Sequence, residues 1–146
     1  MVCTFFGHRD TKEEIKETLN SVLVDLIENA GADTFYVGDQ GSFDNMVRTK
    51  LKELKTVYPH IKYAVVLAYM PGKRTRYEDF TDTIYPFENE KIIPKFAINN
   101  RNLWMINKSD YVITYVNHTI GGAAKFKELS LKKGKILIEL SEQQIN

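Results

Sequence analysis

Two short stretches, far apart in the chain, join an apolar β-like run to small and polar residues suited to holding an anion or a nucleotide. Val2-Cys3-Thr4-Phe5-Phe6 runs into Gly7-His8-Arg9. Tyr111-Val112-Ile113-Thr114-Tyr115-Val116 runs into Asn117-His118-Thr119-Ile120-Gly121-Gly122 before a helix-like stretch. In an open α/β sheet, ligands bind beyond the carboxyl ends of the strands, where small residues permit close approach and helix N-termini present N–H groups to negative charge. Gly7, His8, Arg9, Gly121 and Gly122 are therefore candidate ligand contacts. Gly38-Asp39-Gln40-Gly41-Ser42 could turn backbone N–H groups toward a phosphate in the same way, which adds Gly38, Gly41 and Ser42. No Gly-Lys-Ser/Thr follows and the three-glycine fingerprint is missing, so ATP hydrolysis and tight nicotinamide-dinucleotide binding are disfavoured. Asn99-Asn100-Arg101-Asn102 places hydrogen-bonding groups near the start of an otherwise apolar helical stretch, and Arg101 and Asn102 complete the candidate set. Arg9 and Arg101 offer charge-assisted contacts.

These groups need rigid elements to aim them. Thr11-Lys12-Glu13-Glu14 has capping-box spacing, and Ile15, Leu19, Val22, Leu23, Leu26 and Ala30 then form one helical face that Gly31 ends. Residues 34–37 read as a strand. Ser42 is the expected N-cap of a helix whose inward face is Met46, Val47, Leu51 and Leu54. Residues 61–68, near-continuous in apolar and β-branched side chains, suit a strand covered on both faces. Periodicity fails between Pro71 and Pro94, where the basic run Lys73, Arg74, Arg76 precedes Glu78, Asp79 and Asp82; it reads as solvated surface or as a phosphate-binding lid. A helix over 97–108, a strand over 111–116, a helix from about Gly122 to Lys133 and a strand over 135–140 follow. Strand and helix alternate, which predicts a Rossmann-like three-layer sandwich with a mainly parallel sheet of about five strands. One domain over 1–140 and a flexible tail over 141–146 are expected.

The chain has 146 residues, 43% of them hydrophobic, enough for one buried core without disulfides or structural metal. Twenty basic and nineteen acidic side chains give a net charge of +1, so no global field draws the protein to polyanions. On this ground, and for want of a basic face interleaved with aromatics, nucleic acid is disfavoured as a partner. The lone Cys3 lies in an apolar strand and reads as a buried, inert thiol. Cys and His are too few for a zinc framework, His8 and His118 without a carboxylate make a poor metal site, and no motif calls for a cofactor. No apolar run approaches membrane-spanning length and the start lacks the features of a signal peptide, so a cytoplasmic protein without a membrane partner is expected. Trp104 reads as core or subunit contact, which leaves a homo-oligomer open.

Thr4-Phe5-Phe6-Gly7-His8-Arg9, Gly38 to Asp44, Arg101-Asn102-Leu103-Trp104-Met105, Ser109-Asp110, and Gly121-Gly122 through Glu128 together resemble the SLOG superfamily. That group joins Smf/DprA proteins, lonely-guy phosphoribohydrolases and YpsA-like bacterial and phage proteins. The resemblance implies a Rossmann-like fold and a nucleotide or nucleotide-derived, ADP-ribose-like ligand, held by a sensor or sequestering protein. The superfamily's enzymatic branch carries Pro-Gly-Gly-x-Gly-Thr-x-x-Glu and an upstream arginine. Gly121, Gly122 and Glu128 fall on its two glycines and its glutamate, and Arg101 on the arginine, whereas Ile120, Ala124 and Lys125 replace the proline, third glycine and threonine. The alternative function is thus a nucleoside 5′-monophosphate phosphoribohydrolase with Arg101 and Glu128 as catalytic residues. Against it, the same spacing lets Glu128 pair with Lys132 on a helix surface.

Overall fold

Strands and helices that are each apolar on a face must cover one another, and this chain does so with helices on both sides of a single sheet. The computed structural model describes residues 1–70, 82–88, 90–117 and 121–143. In chain order the elements are β1 (Val2–Gly7), α1 (Ile15–Asn29), β2 (Thr34–Val37), α2 (Gly41–Val57), β3 (Lys62–Val66), β4 (Thr83–Ile84), α3 (Ala97–Lys108), β5 (Tyr111–Tyr115), α4 (Gly122–Lys132) and β6 (Ile136–Glu139). Single 3-10 turns lie at Pro94–Phe96 and Leu140–Glu142. The sheet has six strands in the order β4-β3-β2-β1-β5-β6, and every neighbouring pair is parallel.

The added strand is β4, two residues within the aperiodic stretch after Pro71. It is held by Asp82, whose carboxylate accepts from Arg48 Nε at 2.9 Å and Arg48 Nη2 at 2.8 Å. β1 lies between β2 and β5: Cys3 stands beside Phe35 on one side and Tyr111 on the other, and Gly7 beside Tyr115. The chain winds outward from β1 first one way and then the other. That makes the β1–β5 boundary a switch point, where the loops leave in opposite directions and open a crevice.

Adjacent side chains on a strand face opposite sides, so β1 supplies both cores. Phe5 packs with Leu19, Leu23, Phe35, Phe43, Val47 and Leu51 against α1 and α2. Phe6 packs with Val66, Met105, Ile106, Val112 and Phe126 against α3 and α4, with Tyr36 and Trp104 at its margin. Each such side chain contributes about 1.5–3 kcal/mol when fully buried. Trp104 thus belongs to a core, its ring edge-on to Tyr36 at 5.0 Å. Cys3 is wholly buried, and desolvation pushes its thiol up to about 12, too high for a nucleophile.

Four local expectations change. The helix after Thr11 begins at Ile15 without a side-chain cap, because the Thr11 hydroxyl donates to His8 O at 2.7 Å. Ser42 is not the N-cap of α2 but lies in its first turn, and its hydroxyl donates to Arg9 O at 2.6 Å. Phe43 is fully buried in the helix face where Met46 was expected and only partly buries. The stretch from Ser141 is not wholly tail: it continues the fold through a 3-10 turn in which Ser141 bonds Glu139. Lys73, Arg74, Arg76, Glu78, Asp79 and His118 lie outside the described residues.

Candidate functional site

A cleft of about 500 Å3 opens at the carboxyl ends of β1 and β5. Its floor is Phe5, Phe6, Met105 and Phe126; its walls are Gly7 to Asp10, Gln40 and Asp44, Ile98, Asn99, Arg101 and Asn102 on α3, and Gly121 to Ala123 at the start of α4. The loop after β1 is fixed to both neighbours. Ser42 donates to Arg9 O through its backbone N–H at 2.8 Å and its hydroxyl at 2.6 Å. On the other side, Asn117 N–H donates to His8 Nε2 at 3.0 Å, a bond that needs the imidazole nitrogen unprotonated and that ties the end of β1 to the end of β5. Gly41 has φ +88°, and a Cβ there would stand 2.7 Å from Arg9 Cα, so only glycine lets α2 start so close to this loop. A Cβ on Gly7 would lie 2.3 Å from Phe43 Cγ; the fully buried Phe43 ring occupies the space a side chain would need.

The side chain at the heart of the cleft wall is Arg101, 2% exposed. Its Nε donates to Asn102 Oδ1 at 2.6 Å, and its Nη1 to Asp39 Oδ1 at 2.8 Å and Val66 O at 3.0 Å. Asp44 stands close by, its Oδ2 accepting from Gln40 N–H at 3.0 Å. Desolvation pushes the Asp44 carboxyl up to about 6 and the nearby Asp39 carboxylate pushes the same way, while the Gln40 N–H and the Arg101 guanidinium oppose the rise. A Cβ on Gly38 would stand 2.7 Å from Asp44 Oδ2 and 3.1 Å from Arg101 Cζ, so Gly38 makes room for this charge cluster. The cleft is therefore polar and roughly balanced in charge, with amides, two arginines, carboxylates and a glycine-started helix over an aromatic floor. That mixture can hydrogen-bond a base and sugar and hold a phosphate at Gly121 and Gly122.

Gly7, His8, Arg9, Arg101, Asn102, Gly121 and Gly122 are brought together around one cavity, whereas Gly38, Gly41 and Ser42 shape it from behind. Glu128 is not brought there. Its side chain is 70% exposed and pairs with Lys132 at 3.4 Å, on the side of α4 that carries Ala124 and Leu131 rather than among the cleft residues. Arg101 and Glu128 do not share a wall, so the paired catalytic arrangement does not form. The sequence reading missed Asp10, Asp39 and Asp44. Asp39 and Asp44 sit within the quoted Gly38-to-Asp44 stretch, but their roles come from Arg101, 62 residues from Asp39 in sequence. Among the described residues no group of three His, Cys, Asp or Glu could hold a metal ion, and no helix is long and apolar enough to cross a membrane.

A parallel sheet flanked by helices, with a cleft at its switch point, defines a Rossmann-like α/β protein. The sequence profile of the YspA SLOG family matches residues 2–136, and the chain belongs to that family. Membership points to a nucleotide-related ligand-binding role. No curated protein matches the chain in sequence. Among solved structures, DNA processing protein A (DprA) from Streptococcus pneumoniae is similar in fold, with a TM-score of 0.64 and 15% identity over 92% of this chain and 48% of that one. DprA from Helicobacter pylori, described for its single-stranded DNA binding mode, gives a TM-score of 0.59 and 19% identity over 94% of this chain and 63% of that one. The chain thus spans about half to two thirds of these proteins. The H. pylori likeness corrects the expectation that nucleic acid is disfavoured. Net charge reports the global field alone, and single strands are also held by local cations and stacking on aromatic faces.

Proposed function

We propose that the cleft at the ends of β1 and β5 binds a nucleotide or nucleotide-derived, ADP-ribose-like ligand, and that the protein acts by sensing or sequestering it. The observation that carries this reading is the convergence of Gly7 to Asp10, Arg101 and Asn102, and Gly121 and Gly122 on one cavity of about 500 Å3, large enough for much of a nucleotide. The exposed position of Glu128 supports binding over base release. Because a DprA of similar fold is described as binding single-stranded DNA, the ligand's nucleotide unit could also be presented by a strand. Thermal unfolding and calorimetry with AMP, ADP-ribose and a short oligothymidylate test the reading together. A ligand at a hundred times its Kd stabilises the folded state by about 2.7 kcal/mol, which raises Tm by roughly 5–10 °C for a chain of this size. A rise with AMP or ADP-ribose is expected. A rise with the oligonucleotide alone would move the function to strand binding, and no response to any of the three would remove the proposal.

A further inference from the structure

The carboxylate with the densest set of partners among the described residues lies outside the cleft. Glu139, at the end of β6, is 3% exposed. Its Oε1 accepts from the Thr114 hydroxyl at 2.7 Å and Lys127 Nζ at 2.9 Å. Its Oε2 accepts from Ser141 N–H at 3.1 Å and the Ser141 hydroxyl at 2.7 Å. The Val116 backbone N–H is shared between the two oxygens at 3.1 and 3.0 Å. Desolvation pushes the Glu139 carboxyl upward, but donation from Thr114, Ser141, Lys127 and Val116 outweighs it and holds the group below the usual carboxylate range.

Two of those donors lie at the end of β5 and in the helix whose first residues line the cleft. Val116 follows the last residue of β5, and Lys127 lies in the second turn of α4. Gly121 and Gly122, at the start of the same helix, stand at the cavity wall, and Gly121, at φ +112°, has no side chain of its own with which to fix its position. The Val116-Asn117 stretch also supplies the N–H that holds His8. One buried anion thus bonds both the end of β5 and the side of α4.

We infer that Glu139 is a positioning residue for the ligand site: by clamping Val116 and Lys127 to the turn at Ser141, it sets where the N-terminus of α4 and His8 stand. The inference rests on the binding function proposed above, and it couples the turn after β6 to ligand affinity. Glu139→Gln keeps the volume, but whichever way its amide is turned the NH2 meets a group that can only donate, either the Ser141 N–H or the Lys127 ammonium, with the Val116 N–H beside it.

Amide hydrogen exchange and calorimetry with ADP-ribose, on wild type and Glu139→Gln well below both melting temperatures, provide the test. The reporter is the Lys125 N–H, which donates to Gly121 O at 3.2 Å and touches no Glu139 atom. Glu139→Gln should speed exchange at Lys125 while amides in β1 and β2 keep their wild-type rates, and should weaken ADP-ribose about tenfold. Lys127→Met and Ser141→Ala, each removing part of the clamp, should show the same local pattern more weakly, and they decide the question if Glu139→Gln does not fold. Unchanged Lys125 exchange, or exchange speeded equally across the sheet, would overturn the inference. Absence of ADP-ribose binding by wild type would count against the proposed ligand class while leaving the exchange result to decide the role of Glu139.

Discussion

Arg101→Met is the substitution from which the cleft has most to lose. The methionine replaces most of the buried stem but removes the guanidinium, leaving Asp39 without its 2.8 Å partner and the Val66 carbonyl and Asn102 side chain each short of a donor. Removing one member of a buried ion pair typically costs about 3–5 kcal/mol, because the remaining charge stays desolvated. Asp39 keeps 18% of its side-chain exposure, so water recovers part of that loss and about 3 kcal/mol is expected. For a chain of this size that lowers Tm by roughly 6–12 °C. Urea unfolding of wild type, Arg101→Met, Asp39→Asn and the double variant closes a cycle in which the double variant should recover at least about 1.5 kcal/mol relative to additivity. Loss of the guanidinium should also raise the Asp44 carboxyl further, since Arg101 is one of the groups holding it down. A cost below about 1 kcal/mol with no coupling to Asp39 would refute the reasoning and put Arg101 in the ordinary class of exposed ion pairs.

Gly7→Ala should cost about 3 kcal/mol or more, since the new Cβ meets the fully buried Phe43 ring, and Phe43→Leu should restore part of it in chemical denaturation. Asp44 takes up a proton at higher pH in the folded state than in the unfolded chain, so its contribution falls as pH rises from about 4 to about 6. Asp44→Asn should therefore gain stability relative to wild type across that window, by at most about 3 kcal/mol, in unfolding curves taken from pH 4 to 7; a difference constant with pH would contradict the shift. Glu128→Gln should change stability by less than about 0.5 kcal/mol and leave ADP-ribose affinity unaltered by calorimetry, because its pair with Lys132 is largely exposed to water.

Long periodic elements were legible in the sequence because local pattern alone specifies them. The helix over Ala97–Lys108 and the strand over Thr34–Val37 fall where the periodicity places them. The adjacency of β1 and β5, which brings Gly7 and Gly121 to one cavity, needs the winding to reverse at β1, a step that right-handed crossovers allow and strand–helix alternation alone does not dictate. β4 escaped because two residues carry no period, and its position depends on Arg48 gripping Asp82 across 34 residues. Capping failed at Thr11 and Ser42 for one reason: both hydroxyls bond the carbonyls of the loop after β1 instead of their own helices. Asp39 and Glu139 carry no signal in the local pattern, because their partners come from tertiary structure: Arg101 for one, and Thr114 and Lys127 with the nearby Ser141 for the other. The sequence placed Glu128 correctly as the partner of Lys132, while the motif resemblance alone drew it toward Arg101.

The most direct measurement is backbone amide NMR of the protein titrated with ADP-ribose. Saturable shifts are predicted at Gly7 to Asp10, at Asn99, Arg101 and Asn102, and at Gly121 to Ala123, all of which line the cleft, with Lys132 and the exposed face of α1 unmoved. Shifts confined to the Glu128 side of α4, or none at ligand concentrations in the millimolar range, would contradict the assignment of this cleft as the nucleotide site.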